Sequence, residues 1–281
     1  MDKFERFFKN TEDKSVKIQN RKTKVVENLI YEKLEMMSIE IPNNKECSTN
    51  ELLLNLLFHL RKMPNEFNQW LKNDILKSHN TTDLLVGALI EMTCNVYSPD
   101  KKKILYSWMK SLKEAELLKS IHYEGKKQTF KITMNNDKTY KIEANSKNFY
   151  FTKKTTNQCH LYTEMILRNG LNQTPLDGCC IIFKDFFNNP HFHSFCIRTD
   201  NNIVIDPSHN IMCDLDFYTE GLKYEILFRE NGSEIIKNID YLNTTNKEFR
   251  NSPFNSFIKY ASLQGDKNNN NQKILKRRLS K

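Results

Sequence analysis

Residues 155–170 read Thr155-Thr156-Asn157-Gln158-Cys159-His160-Leu161-Tyr162-Thr163-Glu164-Met165-Ile166-Leu167-Arg168-Asn169-Gly170. The opening polar residues favour a turn. From Cys159 to Asn169 there is no glycine or proline, and Gly170 supplies a stop, so the spacing predicts a short helix that begins near Cys159.

Two apolar runs lie further along. His193-Ser194-Phe195-Cys196-Ile197 is the first, and Ile203-Val204-Ile205-Asp206 is the second, closed by Pro207-Ser208. Asp200-Asn201-Asn202 separates them and carries turn chemistry. A strand out, a turn and a strand back place Asp206 beside His193. Upstream, Phe130, Ile132 and Met134 alternate with polar residues, Asn135-Asn136-Asp137 turns, and Tyr140 and Ile142 alternate back, which predicts a hairpin. Cys179 to Phe183 and Tyr224 to Phe228 read as further strands. This half of the chain is therefore expected to pack a cysteine-bearing helix on an antiparallel sheet.

Cys159, His193 and Asp206 have the residue types of a thiol-dependent triad. A thiol attacks only as thiolate, and an ordinary pKa of about 8.5 leaves little of it at neutral pH. The positive end of a helix and a neighbouring imidazolium both favour the thiolate. A carboxylate on the adjacent strand fixes the imidazole tautomer and supports its charge. Cys159 is thus expected to be the nucleophile, His193 the general base and Asp206 the orienting group. Gln158 or Asn157, with the Cys159 backbone amide, are the candidate oxyanion donors. His191 competes with His193 because both face the same way on a strand. The interval to Asp206 and the following Ser-Phe favour His193.

Cysteine on a helix, His-Ser-Phe-Cys-Ile, and Val-Ile-Asp-Pro-Ser together resemble the transglutaminase-like branch of papain-like cysteine enzymes, over about residues 148–210. That branch includes proteases, transglutaminases and arylamine N-acetyltransferases. The resemblance implies acyl transfer on an amide through a Cys159 thioester: peptide hydrolysis first, glutamine deamidation or transglutamination as variants. The sequence departs from the branch in having His160 where an aromatic follows the cysteine and Phe195 in place of a tryptophan.

Composition narrows the other classes. The chain has 281 residues, 38% hydrophobic and 27% charged, as a globular protein can have. Its seven glycines form no phosphate-binding pattern, so no nucleotide or other cofactor is expected. The formal charge of +9 is spread over short clusters such as Lys101 to Lys103 and Lys276 with Arg277-Arg278. The alternative to an enzyme is a binding protein on a degenerate cysteine-enzyme fold, whose basic clusters engage nucleic acid or an acidic protein. His191 and His193 with His160, His209 or Cys213 could be read as metal ligands, but no ligand-pair spacing supports that and no metal is expected. Seven cysteines without a Cys-x-x-Cys pair, no apolar leader at Met1-Asp2-Lys3-Phe4 and no long apolar run predict a cytoplasmic protein without a membrane span. Export into another cell without a signal peptide would leave the same pattern. Partners are then a protein or peptide substrate.

Residues 1–123 read as a helical domain that selects substrate or partner. Val25, Val26, Leu29, Ile30, Leu34 and Met37 recur at helical spacing. Ser48-Thr49-Asn50-Glu51 is a capping box before Leu52 to Leu60. Pro64 marks the next start, and Pro99-Asp100 opens a helix carrying Trp108. The catalytic domain is assigned to 124–263, and 264–281 reads as a disordered basic tail. The fold class is α+β.

Overall fold

The computed structural model describes residues 25–26, 28–38, 52–53, 56–57, 59, 62–95, 102–144, 158–170, 174–184, 190–250 and 256–264. The capping box at Ser48-Thr49-Asn50-Glu51, the Pro99-Asp100 start, Asn157 and the tail from 265 onward lie outside them.

The chain divides into two compact units, one taking most of the residues before Ser120 together with Lys184–His191, the other taking the sheet and the later helices. In the first, Val26, Ile30 and Leu34 are buried four residues apart, while Val25 and Leu29 are exposed, so the apolar stripe is narrower than its periodicity suggests. Described helices further along include α1 (Asn65–Trp70, running on as a π-helical turn Leu71–Leu76), α2 (Thr82–Asn95) and α3 (Lys102–Glu114). Phe67, Leu71, Leu89, Leu105, Trp108 and Leu112 are buried within them.

The second unit is built on an eight-stranded sheet of order β1-β2-β3-β7-β6-β5-β4-β8. Its strands are β1 (Ser120–Glu124), β2 (Thr129–Thr133), β3 (Thr139–Ala144), β4 (Leu176–Lys184), β5 (Pro190–Arg198), β6 (Ile203–Asp206), β7 (Ile211–Asp214) and β8 (Glu225–Asn231). The β2–β3 hairpin turns at Asp137, whose φ of 67° suits an aspartate. Residues 120–123, expected to be helical, form β1 instead. Ile121 and Tyr123 pair with Ile132 and Phe130, and the Tyr123 and Phe130 rings stack at 4.9 Å. Short β7 joins this hairpin to the remaining strands through Ile142↔Cys213 on one side and Val204↔Cys213 on the other.

Helix α4 (Cys159–Asn169) begins at the cysteine and ends at Gly170, whose φ is 67°. It packs against α5 (Gly232–Thr245), which leads to α6 (Lys247–Arg250) and a further helix, residues 256–264. Ile166, Leu176, Cys196 and Ile205 form one buried cluster beneath α4. Cys180, Phe228, Ile235, Ile239 and Phe257 form another beneath α5, with Leu167 touching both. Asn231 caps α5 by accepting from the Ser233 N–H at 3.0 Å. No helix among the described residues is long and apolar enough to cross a membrane.

Gly232 marks a tight crossing. A Cβ there would lie 2.6 Å from Leu167 Cδ2 and 2.7 Å from the Leu176 carbonyl oxygen. Gly232→Ala is expected to destabilise the protein by about 1–3 kcal/mol through overpacking. Urea unfolding measures it as a lower midpoint with an unchanged slope. An unchanged midpoint means the crossing yields.

Candidate active site

Strand register sets the geometry. β5 and β6 pair as Cys196↔Ile205 and Ile197↔Val204, so continuing one step sets Phe195 opposite Asp206. β6 stops there, because Pro207 has no N–H to continue the ladder and the chain turns back through Asn210, with the Asn210 N–H bonded to the Pro207 carbonyl. His193, two residues further along β5, therefore extends past the end of its partner strand. On the shared face the Asp206 carboxylate reaches it diagonally.

Asp206 has no solvent exposure, and its carboxylate is bonded on every side. His193 Nε2 lies 2.6 Å from Oδ2. The Tyr218 hydroxyl donates to the same oxygen at 2.5 Å, and His209 Nδ1 lies 2.8 Å from it. Oδ1 accepts from the His209 backbone N–H at 3.0 Å. The His193 and His209 rings stack at 4.3 Å, and Phe195 packs between His193 and Tyr218, 6.0 and 4.8 Å from their rings. Asp206 is fully buried and His193 nearly so, so charges on them interact strongly.

Cys159 occupies the first position of α4 and is 8% exposed. Gln158, at the cap position, makes no side-chain capping bond, which leaves the helix start without a side-chain acceptor. Its Oε1 instead accepts from the buried Tyr162 hydroxyl at 2.8 Å, so only its amide N–H groups remain to donate. The His193 and His160 imidazoles both favour the ionised form of the Cys159 thiol. Since His193 Nε2 is taken by Asp206, Nδ1 is the nitrogen left for the sulfur.

Opposing effects set the ionisation. Burial pushes the Cys159 thiol up, but the His193 charge and the His160 and His193 hydrogen bonds outweigh it, bringing the thiol down to about 5. Burial also disfavours charge on His193, yet Asp206 and Cys159 on its two sides raise it to about 10. Asp206 is pushed up by burial and pulled further down by His193 and His209, ending well below the usual carboxylate range. The directions of these shifts favour a buried thiolate–imidazolium–carboxylate chain near neutral pH. Burial drives Cys179, Cys180, Cys196 and Cys213 the other way, so those thiols stay protonated.

Of the two histidines on β5, His193 is the one that bonds Asp206. The structure brings together Cys159, His193 and Asp206 and sets Gln158 immediately before the sulfur-bearing residue. Sequence reasoning missed Tyr218 and Ser194, and gave His160 and His209 no part at the thiol or the carboxylate. His193, Asp206 and His209 also present three ligand atoms within 4.8 Å of one another. Their contacts of 2.6 and 2.8 Å to one oxygen are hydrogen-bond lengths, whereas neighbouring ligands on a zinc-sized cation sit about 3 Å or more apart. The Asp206 carboxylate accepts from these groups directly.

No protein-family model, curated protein or solved structure matches the chain. What defines the class at this point is the fold and the site: an α+β protein with a helix that starts at a cysteine, packed on an antiparallel sheet that carries a buried His–Asp pair.

Proposed function

We propose that this protein is a cysteine enzyme of the transglutaminase-like, papain-like kind that transfers acyl groups from amides, with peptide hydrolysis as its reaction. The observation that carries the reading is that Cys159 opens α4 while the buried Asp206 carboxylate holds His193 at 2.6 Å, an arrangement that lowers the thiol to about 5 against its own burial. Structural thiols elsewhere in the chain move in the opposite direction. A pKa lowered by specific charged partners is what a nucleophile requires.

Each step follows from this arrangement. The Cys159 thiolate attacks the amide carbonyl carbon, a C–S bond forms, and the negative charge moves to the carbonyl oxygen. The Cys159 backbone N–H and the Gln158 amide are the donors assigned to that oxygen. The His193 imidazolium then protonates the amine nitrogen as the C–N bond breaks, leaving a thioester and a neutral imidazole. Water attacks the thioester while His193 takes its proton. The C–S bond breaks, the acid departs, and the thiolate–imidazolium pair is restored. Deamidation and transglutamination use the same thioester and differ in the leaving group or the acceptor. Substrate choice is assigned to the N-terminal helical unit.

Incubating a peptide mixture with the wild type and with Cys159→Ala, under reducing conditions, distinguishes the reactions by mass. Cleavage products unique to the wild type support hydrolysis. Intact peptides with glutamine converted to glutamate would reassign the reaction to deamidation, and identical mixtures from both proteins would rule out thiol catalysis.

A further inference from the structure

Two consecutive residues of β5 meet two consecutive residues of α4. His193 acts on the Cys159 thiol, favouring its ionised form, and the next residue, Ser194, lies with its Oγ 2.7 Å from His160 Nδ1. Neighbouring side chains on a strand point to opposite faces. His193 lies on the face that carries Asp206, Phe195 and Tyr218, whereas Ser194 shares its face with Cys196, whose thiol reaches the Thr163 carbonyl of α4. The helix start is therefore gripped from both sides of the strand. Ser194 is fully buried, and a buried hydroxyl needs a hydrogen-bond partner, which His160 supplies.

His160 is only half-buried; it follows Cys159 in the first turn of α4, its Nδ1 is on the Ser194 hydroxyl, and it favours the ionised form of the Cys159 thiol. The nucleophile thus has two imidazole partners in different surroundings. His193 is tied to Asp206 and stacked on His209, with 5% exposure; His160 sits on the more open side.

We propose that His160 is a second catalytic histidine, which donates a hydrogen bond to the Cys159 sulfur, and that Ser194 is the positioning residue that holds it there. The inference rests on the acyl-transfer reading and adds a residue to it. Its effect falls on both steps. While His193 is charged, His160 shares in stabilising the thiolate. After the amine has left, His193 is neutral, and His160 is the donor that remains for the sulfur. As water attacks the thioester, the C–S electron pair returns to sulfur and the water proton goes to His193. A hydrogen bond to the departing sulfur lowers its basicity and speeds its departure.

The test follows the rate of Cys159 alkylation by iodoacetamide against pH, read by peptide mass spectrometry, in the wild type, His160→Ala, His160→Gln and Ser194→Ala. A hydrogen bond to a charged group contributes on the order of one pH unit of thiol acidity, so His160→Ala is expected to raise the midpoint by about that much. Ser194→Ala moves it the same way by less, and His160→Gln, which keeps an N–H donor, recovers part of the shift. Midpoints for His160→Ala and His160→Gln that coincide with the wild type overturn the proposal. A shift in His160→Ala without one in Ser194→Ala overturns the positioning role. Neither comparison needs turnover: the wild-type midpoint judges the acyl-transfer reading, and the difference between wild type and variant judges this one.

Discussion

Replacing Cys159 by alanine is expected to abolish amide turnover, a loss of about a million-fold if Cys159 forms the covalent bond. Folding should survive, because the change removes one sulfur at the end of a helix, and alanine is a good helix former. Thr163, which donates to the Cys159 carbonyl at 2.8 Å, keeps its partner because that bond is to the backbone. Comparing single-turnover rates and urea midpoints of the two proteins checks both halves. A variant that keeps even a tenth of the wild-type rate would falsify the assignment of Cys159 as nucleophile.

Asp206→Asn should damage the protein in two ways. The asparagine fills nearly the same space but removes the charge that holds His193 protonated. Of the influences on that imidazole, burial then acts against Cys159 alone, and the His193 pKa falls from about 10. The thiol loses its charged partner and rises from about 5. Activity is expected to fall by about four orders of magnitude, the scale seen when the orienting carboxylate of a triad is neutralised. Stability falls as well, by about 3–5 kcal/mol, because a buried charge network loses its central anion while Tyr218 and His209 still point donors at it. Kinetics and chemical denaturation together test this. A large loss of rate without loss of stability would mean that the network relaxes around the amide.

The pH profile follows from the same shifts. Activity needs the thiolate and the imidazolium together, so it rises as pH climbs through about 5 and declines as His193 loses its proton near 10.

Local pattern carried the parts of this fold that are close in sequence. The β2–β3 hairpin and the β5–β6 pair each span fewer than twenty residues, and turn residues mark them, Asn202 included with its φ of 55°. The helix that starts at Cys159 was legible from the polar run before it and the glycine after it. β7 was not, because four residues without alternation carry little periodicity, and its pairing with β3 joins segments about 70 residues apart. β1 was hidden behind the helical pattern before it and becomes a strand because β2 offers an edge. The spacing of Ile235 and Ile239 and the cap at Asn231 were available signals for α5.

At the site, the thirteen-residue interval and the turn inside it pointed to the His193–Asp206 pair. Tyr218 reaches Asp206 from a π-helical turn beyond β7, with no spacing rule to announce it. Ser194 is one of many serines until the strand's alternation aims it at His160.

Whether Cys159 is held as a thiolate is read most directly from the midpoint of its alkylation in the wild-type protein. The rate at a single pH is a weaker measure. A thiol of low pKa is intrinsically less nucleophilic, with a Brønsted coefficient of about 0.4–0.5, so at pH 6 the advantage over an ordinary thiol shrinks to about tenfold. The midpoint carries no such compensation. It is expected near 5 for Cys159. A midpoint near 8.5, the ordinary thiol value, would contradict the account.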